Sequence, residues 1–168
     1  SKFVRLKFLS VAGIIVRKKF YRTVNMIFGR LGLATDYDVL LKLIKTNAIP
    51  VLLYGAVAAT LNNANLKDLE HAFDSVFSKL FHTFDKKIIA QCQYYYGCWP
   101  LIIIYEYNRY LFLLNLITSN KMHKNCNSDL LDYLDFEKIK SKYNIDLNDS
   151  TKKIRFKMWC YFEKIISN

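Results

Sequence analysis

The chain has 168 residues, of which 52% are hydrophobic, and its formal net charge of +11 comes from 25 basic and 14 acidic residues. So much apolar sequence excludes disorder over most of the length, and no run approaches the roughly 18 apolar residues of a membrane-spanning helix. The positive charge favours an acidic partner, either a nucleic acid or an anionic membrane surface.

Hydrophobic spacing predicts helices over nearly all of the chain. The predicted helices cover residues 15–31, 36–61, 65–84, 86–96, 101–118, 129–143 and 150–167. Pro50 should kink the second of these or begin a new helix, because proline has no backbone N–H. Residues 3–9 alternate imperfectly and allow a short N-terminal β-strand. The predicted fold class is all-α, a helical bundle of about six to seven helices.

Polar residues at the predicted helix starts can cap them. Thr35 can cap the second helix, with Asp38 as its partner in a capping box, and Asn65 can cap the third. Asp36 and Asp38 stand where carboxylates oppose a helix dipole. We therefore interpret both carboxylates as capping groups and not as catalytic groups.

The helix over residues 15–31 has one apolar face and one basic face. The apolar face, which should be buried, consists of Phe20, Val24, Ile27, Phe28 and Leu31. The opposite face carries Lys18, Arg22, Asn25 and Gly29, and Gly32 should end the helix in the left-handed conformation. The first 35 residues hold eight basic residues and no acidic one. A face of one charge sign suits a phosphate backbone, and a solvated basic surface without a partner is the alternative.

The four cysteines, Cys92, Cys98, Cys126 and Cys160, are irregularly spaced. Residues 2–16 imitate a secretory signal only in part, since Arg-Lys-Lys follows them where a cleavage site should lie. We therefore expect reduced thiols in an intracellular protein of the cytoplasm and nucleus. With His123, three of the cysteines could supply four zinc ligands, but the spacing matches no common zinc finger. Buried free thiols are the preferred interpretation.

Tyr94, Tyr95 and Tyr96 form an aromatic run close to Trp99. Such residues could stack on nucleobases. Successive helical positions point in different directions, so at most one or two of the tyrosines could do so. Packing is the expected role of the run.

Several short motifs follow one another in an order that resembles one protein family. They are residues 20–22 (FYR), 27–32 (IFGRLG), 38–44 (DVLLKLI), 50–55 (PVLLYG), 66–69 (LKDL) and 77–83 (FSKLFHT). This series resembles the segment after the catalytic palm in reverse transcriptases of non-LTR (LINE-type) retrotransposons, nearest the chicken-repeat-like branch. The resemblance covers residues 6–101.

The resemblance implies a helical thumb and the connector beyond it. Residues 1–16 would be the end of a primer-grip-like segment, residues 17–118 the thumb and connector, and residues 119–168 a C-terminal helical extension. In that family the thumb grips the template–primer duplex beside the polymerase site. The chain departs from the family at Ser10, where glycine is usual, and at Val57, where an acidic residue often stands.

The basic face and the resemblance together predict a nucleic-acid-binding fragment whose partners are an RNA–DNA or RNA template–primer duplex and the missing palm domain. The predicted contacts are Lys18, Arg22, Asn25, Gly29 and Arg30, with Lys42 and Lys45 as a second row. Polymerase chemistry needs paired carboxylates around two Mg²⁺ ions, and the chain contains no adjacent Asp-Asp pair. We expect no catalytic residue, metal ligand or cofactor in this fragment, Mg²⁺ being bound only by the missing palm.

Two other functions are compatible with the sequence. The chain could be a helical protein-interaction module, a retroelement remnant without polymerase activity, that binds through residues 101–116. An exposed patch of Tyr105, Tyr107 and Tyr110 would favour that reading. Residues 2–19 could instead bind a membrane surface, but their apolar run is short and this function is disfavoured.

Overall fold

The computed structural model describes residues 2–32, 36–53, 56–57, 61, 63–119 and 127–167, without the side chains of residues 2–14 and 127–129. Every regular element in these ranges is helical. In chain order they are α1 (Lys2–Leu31), α2 (Tyr37–Leu43), a π-turn (Ile44–Ala48), α3 (Ile49–Leu53), α4 (Asn63–Phe81), α5 (Lys86–Tyr95), α6 (Leu101–Thr118), α7 (Asn127–Lys142) and α8 (Thr151–Ser167). The predicted all-α bundle is confirmed.

Helix α1 is longer than its predicted range and includes the segment for which the sequence allows a strand. It begins at Lys2 and continues without interruption to Leu31. A helix satisfies its backbone N–H and C=O groups within the segment, whereas a strand needs a partner strand, and the described residues contain none. The predicted N-terminal strand is therefore wrong. Gly32 ends α1 as predicted, with φ +72° and its N–H donating to the Phe28 carbonyl oxygen at 2.9 Å.

Packing divides the chain into two compact units. The first comprises Ser1–Tyr54 and Leu61–Leu101, and the second comprises Gly55–Thr60 and Ile102–Asn168. The first unit holds α1 to α5, and the second holds α6 from Ile102 onward, α7 and α8. The motif-based segments 1–16, 17–118 and 119–168 divide the chain differently, and they stay a prediction that depends on the resemblance.

In the first unit, α1 packs against α2, the π-turn, α3 and α4, while α4 packs against α5. The π-turn lies just before Pro50, and in it the Ile49 N–H donates to the Ile44 carbonyl oxygen, five residues back. The proline ring would clash with a carbonyl four residues back in a regular helix, and the wider turn relieves that clash. The prediction allows a kink or a new helix at Pro50; α3 begins one residue earlier, at Ile49, and ends at Leu53, and residues 56–57 form a turn. Residues 54–55 and 58–60 of the predicted apolar helix lie outside the described residues.

The helix caps differ from those predicted. At α2, the Asp38 N–H donates to Asp36 Oδ1 at 3.1 Å, so Asp36 is the cap, and Thr35 lies outside the described residues. Helix α4 begins at Asn63, which places Asn65 inside the first turn instead of at the cap. Helix α4 ends at Phe81, and His82 has φ +52°. Phe84 is therefore not part of the apolar stripe of α4; it is 92% exposed.

Hydrophobic spacing predicts that Val39, Leu40, Leu43 and Ile44 form the buried stripe of the second helix, and this prediction is partly wrong. Val39 is exposed, whereas Leu40, Leu41 and Ile44 are buried. The buried positions 40, 41 and 44 keep helical spacing but lie about one residue later than the predicted stripe.

In the second unit, a buried arginine links three segments of the chain. Arg109 of α6 is fully buried, and its guanidinium donates to Asp132 at 2.6 Å and Asp135 at 3.0 Å, one turn apart on α7. It also donates to the Val57 carbonyl oxygen at 2.9 Å. Because a guanidinium offers five N–H donors in a rigid fork, this single side chain joins α6, α7 and the turn at residues 56–57.

Candidate nucleic-acid interface

The structure places the predicted contacts of α1 on one exposed face. Lys18, Arg22, Asn25, Gly29 and Arg30 are all exposed. On the opposite face Phe20, Val24, Ile27 and Phe28 are buried, as predicted. Leu31 is 38% exposed, so its predicted burial is wrong; as the last residue of the helix it lies at the rim of the apolar face. The buried stripe therefore fixes which side of α1 faces solvent.

The cations of this face have no acidic neighbour in the described part of the chain. Lys18, Lys19, Arg22 and Arg30 make no ion pair and no side-chain hydrogen bond with any described residue. Arg17 does pair, with Asp68 of α4 at 3.6 Å, but it lies toward the packed side of α1. We name Lys18, Lys19, Arg22, Asn25, Gly29 and Arg30 the cation face.

Helix α4 adds a cation that the sequence did not single out. Lys79 lies in the last turn of α4, and its Nζ is 4.5 Å from the centroid of the Phe28 ring. Phe28 directly precedes Gly29, so Lys79 extends positive charge along one border of the cation face. Hydrophobic spacing could not have predicted the contact of Lys79 with Phe28, because 51 residues separate them. The one sequence feature that draws attention to Lys79 is its position in the motif at residues 77–83.

The two residues of the second predicted row, Lys42 and Lys45, differ in exposure and in their hydrogen bonds. Lys42 is exposed, and its side chain makes no hydrogen bond or ion pair with the described residues. Lys45 is half-buried, and its Nζ donates to the carbonyl oxygens of Tyr96 at 2.8 Å and Gly97 at 3.2 Å. These carbonyls end α5, where a cation complements the helix dipole. One N–H of the ammonium is left for a ligand.

Replacing Lys45 by methionine should lower the free energy of unfolding by about 1–2 kcal/mol, because two charge-assisted hydrogen bonds to the end of α5 are lost. Lys42→Met, which removes an exposed cation three residues away, should change it by less than about 0.5 kcal/mol. Urea unfolding followed by circular dichroism compares the two variants. Equal effects would contradict the capping role of Lys45.

The turn after α5 is held by two further backbone hydrogen bonds. The Gly97 N–H donates to Tyr94 O at 3.0 Å, and the Cys98 N–H donates to Gln93 O at 2.7 Å. Together with φ +56° at Gly97, these bonds form a Schellman motif. The glycine is needed here because the left-handed conformation is costly for other residues. The motif fixes where Tyr95 and Tyr96 project.

An aromatic cluster lies at this end of the first unit. Tyr96 stacks on Phe81 of α4 with ring centroids 5.4 Å apart, and it meets Tyr37 of α2 edge-on at 6.5 Å. Tyr95 meets Tyr96 edge-on at 5.1 Å and is 82% exposed. Burial, followed by the charge of Asp38, raises the pKa of Tyr96. We name Tyr37, Phe81, Tyr95 and Tyr96 the aromatic cluster.

Helices α4 and α5 are also joined by a polar contact. Gln93 is buried, and its Nε2 donates to Asp74 Oδ1 at 3.2 Å. Burial raises the pKa of Asp74 above its ordinary value, although Gln93 and Lys86 act against this rise. The folded state therefore holds the Asp74 proton more tightly than the unfolded state does.

This carboxyl should make the protein less stable as the pH rises through the interval between 3.8 and the raised folded-state pKa. Asp74→Asn cannot ionise and keeps an oxygen acceptor for Gln93. The variant should therefore gain in melting temperature relative to wild type as the pH is raised from 3 to 7. Thermal unfolding at both pH values checks this. A difference that stays constant, or falls toward neutral pH, would contradict it.

Basic residues of the second unit are paired more fully than those of α1. Lys157 of α8 contacts Asp149 at 2.5 Å and Asp146 at 3.3 Å, and Lys153 contacts Asp149 at 2.7 Å. Lys142 of α7 contacts Glu106 at 2.7 Å. The Lys153 and Lys157 ammonium groups hold the pKa of Asp149 well below its usual range. Much of the positive charge here is neutralised within the unit.

The aromatic patch expected for an interaction module on residues 101–116 is absent from the described surface. Tyr105 and Tyr110 are buried. Tyr107 is half-buried, with the guanidinium carbon of Arg155 5.9 Å from its ring centroid. Helix α6 therefore does not present the exposed tyrosine patch that would favour the protein-interaction module.

Within the described ranges, no group of three or more His, Cys, Asp or Glu side chains is placed to share a metal ion. Two of the four zinc ligands considered, His123 and Cys126, lie outside those ranges. Cys92, Cys98 and Cys160 are free thiols, and burial raises the pKa of Cys98 to about 11. No described helix combines the length and apolar character needed to cross a bilayer.

Comparison with known proteins gives no relative of this chain: no family model, no curated protein and no solved structure matches it. The likeness to LINE-type reverse transcriptases therefore depends on the motifs alone.

Proposed function

We propose that the first unit binds the sugar–phosphate backbone of a nucleic-acid duplex through the cation face of α1, with Lys79 and Lys42 as additional cations. The observation that carries the proposal is a row of exposed cations without acidic partners, opposite a fully packed apolar stripe. Cations that are not neutralised internally gain most from a polyanion, because binding releases its condensed counterions.

The dimensions of the cation face agree with this role. Lys18 and Arg30 are twelve residues apart, which on an α-helix is about 18 Å. One strand of a duplex presents a phosphate about every 3.4 Å along the axis, so about five phosphates lie within that length. Contacts of this kind position a duplex without reading its sequence.

An RNA–DNA hybrid or RNA duplex is the partner we favour. A-form duplexes present a wide, shallow minor groove lined by 2′-hydroxyl groups, and Asn25 supplies an amide that can donate to or accept from them. The motif series supports the same choice, since it resembles the thumb and connector of a retrotransposon reverse transcriptase. Under this proposal the fragment is not catalytic, its parent is an intracellular RNA-directed DNA polymerase, and the missing palm, with its Mg²⁺, is the second partner.

The test is fluorescence anisotropy of the chain with a labelled RNA–DNA hybrid at several salt concentrations, beside a DNA duplex of the same sequence. If four to six phosphates are neutralised, log K should fall against log salt with a slope of roughly −4 to −5. The hybrid should bind more tightly than the DNA duplex. An affinity that does not depend on salt, or no binding by the folded chain, would refute the proposal.

Gly29 offers a second test, because nothing in the described structure requires a glycine there. A Cβ built at Gly29 meets no atom within 4 Å, and alanine is more favourable than glycine inside a helix. Gly29→Ala should therefore raise the free energy of unfolding by about 0.5–1 kcal/mol. It should also weaken hybrid binding several-fold, because the methyl group obstructs the approach of the duplex backbone.

Unfolding curves and anisotropy on the same preparation measure both effects. A variant that is more stable and binds as tightly as wild type would remove Gly29 from the interface. Partial unfolding would lower stability and affinity together. A variant with higher stability and lower affinity therefore shows a direct effect on binding.

One observation favours the alternative, a helical protein-interaction module. Leu130, Leu131, Tyr133 and Leu134 are exposed on the first half of α7. Four exposed apolar residues within five positions are unusual for a solvated helix. A folded chain that binds neither hybrid nor DNA would shift the interpretation to this alternative.

A further inference from the structure

The aromatic cluster contains one side chain, Tyr95, that is largely open to solvent. Tyr96 is held between Phe81 at 5.4 Å and Tyr37 at 6.5 Å. Tyr95 touches Tyr96 edge-on, with an interplanar angle of 80°, and is 82% exposed. Tyr96 therefore supports Tyr95 from one side, while most of the Tyr95 side chain stays accessible to solvent.

Packing does not account for Tyr95. A side chain that is 82% exposed buries little apolar area, and the end of α5 is already secured by the Gly97 turn and by Lys45. Phe84 is also highly exposed, but no described ring lies against it. Tyr95 differs in having an aromatic support beside a cation.

The charges around the cluster are suited to a nucleotide. The Lys45 ammonium is held 2.8 Å from the backbone carbonyl oxygen of Tyr96, which places positive charge at the end of α5 beside the cluster. The carboxylate of Asp38 is the opposing charge, and its field is felt at Tyr96. A nucleotide whose uncharged base lies on Tyr95 can direct its phosphate to Lys45, which keeps the negative charge of the phosphate off the Asp38 carboxylate. Aromatic rings beside cations are the usual means of binding unpaired nucleotides.

The last turn of α4 contacts both α1 and the aromatic cluster, on different sides of the helix. Lys79 in that turn lies 4.5 Å from the Phe28 ring of α1, and Phe81, two residues later, stacks on Tyr96. A strand that leaves a duplex on the cation face would reach the aromatic cluster by passing around this end of α4.

We propose that Tyr95, supported by the Tyr96 ring and with Lys45 bound to the Tyr96 carbonyl oxygen, stacks on an unpaired nucleobase of the single-stranded overhang next to the bound duplex. The site takes any base, because stacking uses the π-face that all bases share. This inference rests on the proposed function, since the duplex brings the overhang to the cluster.

The test compares a blunt RNA–DNA hybrid with hybrids of the same sequence that carry a four-nucleotide 5′ or 3′ overhang. Wild type should bind one of the overhang hybrids roughly 5- to 100-fold more tightly than the blunt hybrid. Tyr95→Leu should remove this preference and leave blunt-hybrid affinity unchanged, whereas Tyr95→Phe should keep the preference. The matched control is Phe84→Leu, which removes an equally exposed ring and should also keep it.

Equal binding of blunt and overhang hybrids by wild type, or a preference that survives Tyr95→Leu, would overturn the inference. If wild type binds no hybrid, the proposed function fails, and the same variants are then tested against a labelled single-stranded RNA. Loss of that binding in Tyr95→Leu alone would support stacking independently of the duplex. Absence of single-strand binding would overturn the stacking site as well.

Discussion

Replacing Arg109 by alanine should lower the free energy of unfolding by about 3–5 kcal/mol, because it leaves two largely buried carboxylates and a carbonyl oxygen without their shared donor. Asp132 and Asp135 each lose an ion pair shorter than 3.1 Å, and the turn at Val57 loses its link to α6. Urea denaturation followed by far-ultraviolet circular dichroism measures the loss. The loss of stability should be concentrated in the second unit, and faster hydrogen exchange in α6 and α7 would show this.

Two controls separate the charge effect from the loss of side-chain volume. Lys152→Ala removes an exposed cation of α8 and should change stability by less than about 0.5 kcal/mol. The triple variant Arg109→Met, Asp132→Leu, Asp135→Leu removes all three charges together and should be less destabilised than Arg109→Ala, since no buried charge is left unpaired. A loss below about 1 kcal/mol for Arg109→Ala would contradict the buried network.

The double variant Lys18→Ala, Arg22→Ala should weaken hybrid binding on the order of 10- to 100-fold near physiological salt. Each phosphate contact that is lost also makes the slope of log K against log salt shallower by about one, so we expect a change of about two. Stability should stay close to that of wild type, because both side chains are exposed and neither makes a hydrogen bond or ion pair with a described residue. Anisotropy titrations at four salt concentrations provide both quantities.

The matched control for this variant is Lys152→Ala, Lys164→Ala, which removes the same charge from exposed positions on α8. It should lower the affinity only slightly, through the smaller net charge. If both double variants lose affinity equally, binding depends on net charge and not on the cation face.

The helical fold and the direction of the cation face could be predicted because both follow from local periodicity. Phe20, Val24, Ile27 and Phe28 recur at helical spacing, and their burial determines that Lys18 and Arg22 face solvent. Gly32 and Gly97 end their helices with positive φ, as a residue without a Cβ allows. The strand alternative for residues 3–9 was wrong because alternation over so few positions is weak evidence against a helix.

The contacts that could not be predicted join residues far apart in the sequence. Lys45 resembled a surface cation, and only the fold brings it to the end of α5, 51 residues later. Arg109 stands in an apolar segment without local sign of its partners, which lie 23 and 26 residues further on. Neither the proximity of Lys79 to Phe28 nor the support of Tyr95 by Tyr96 follows from hydrophobic spacing. These contacts depend on how helices pack.

The most direct measurement of the central claim is a nuclear magnetic resonance titration of the isotopically labelled chain with the RNA–DNA hybrid. The predicted result is that the Gly29 amide and the Arg22 and Arg30 side-chain Nε–H signals shift with the hybrid, whereas the buried Arg109 Nε–H signal does not. Shifts confined to α6, α7 and α8, with the α1 signals unchanged, would contradict binding through the cation face.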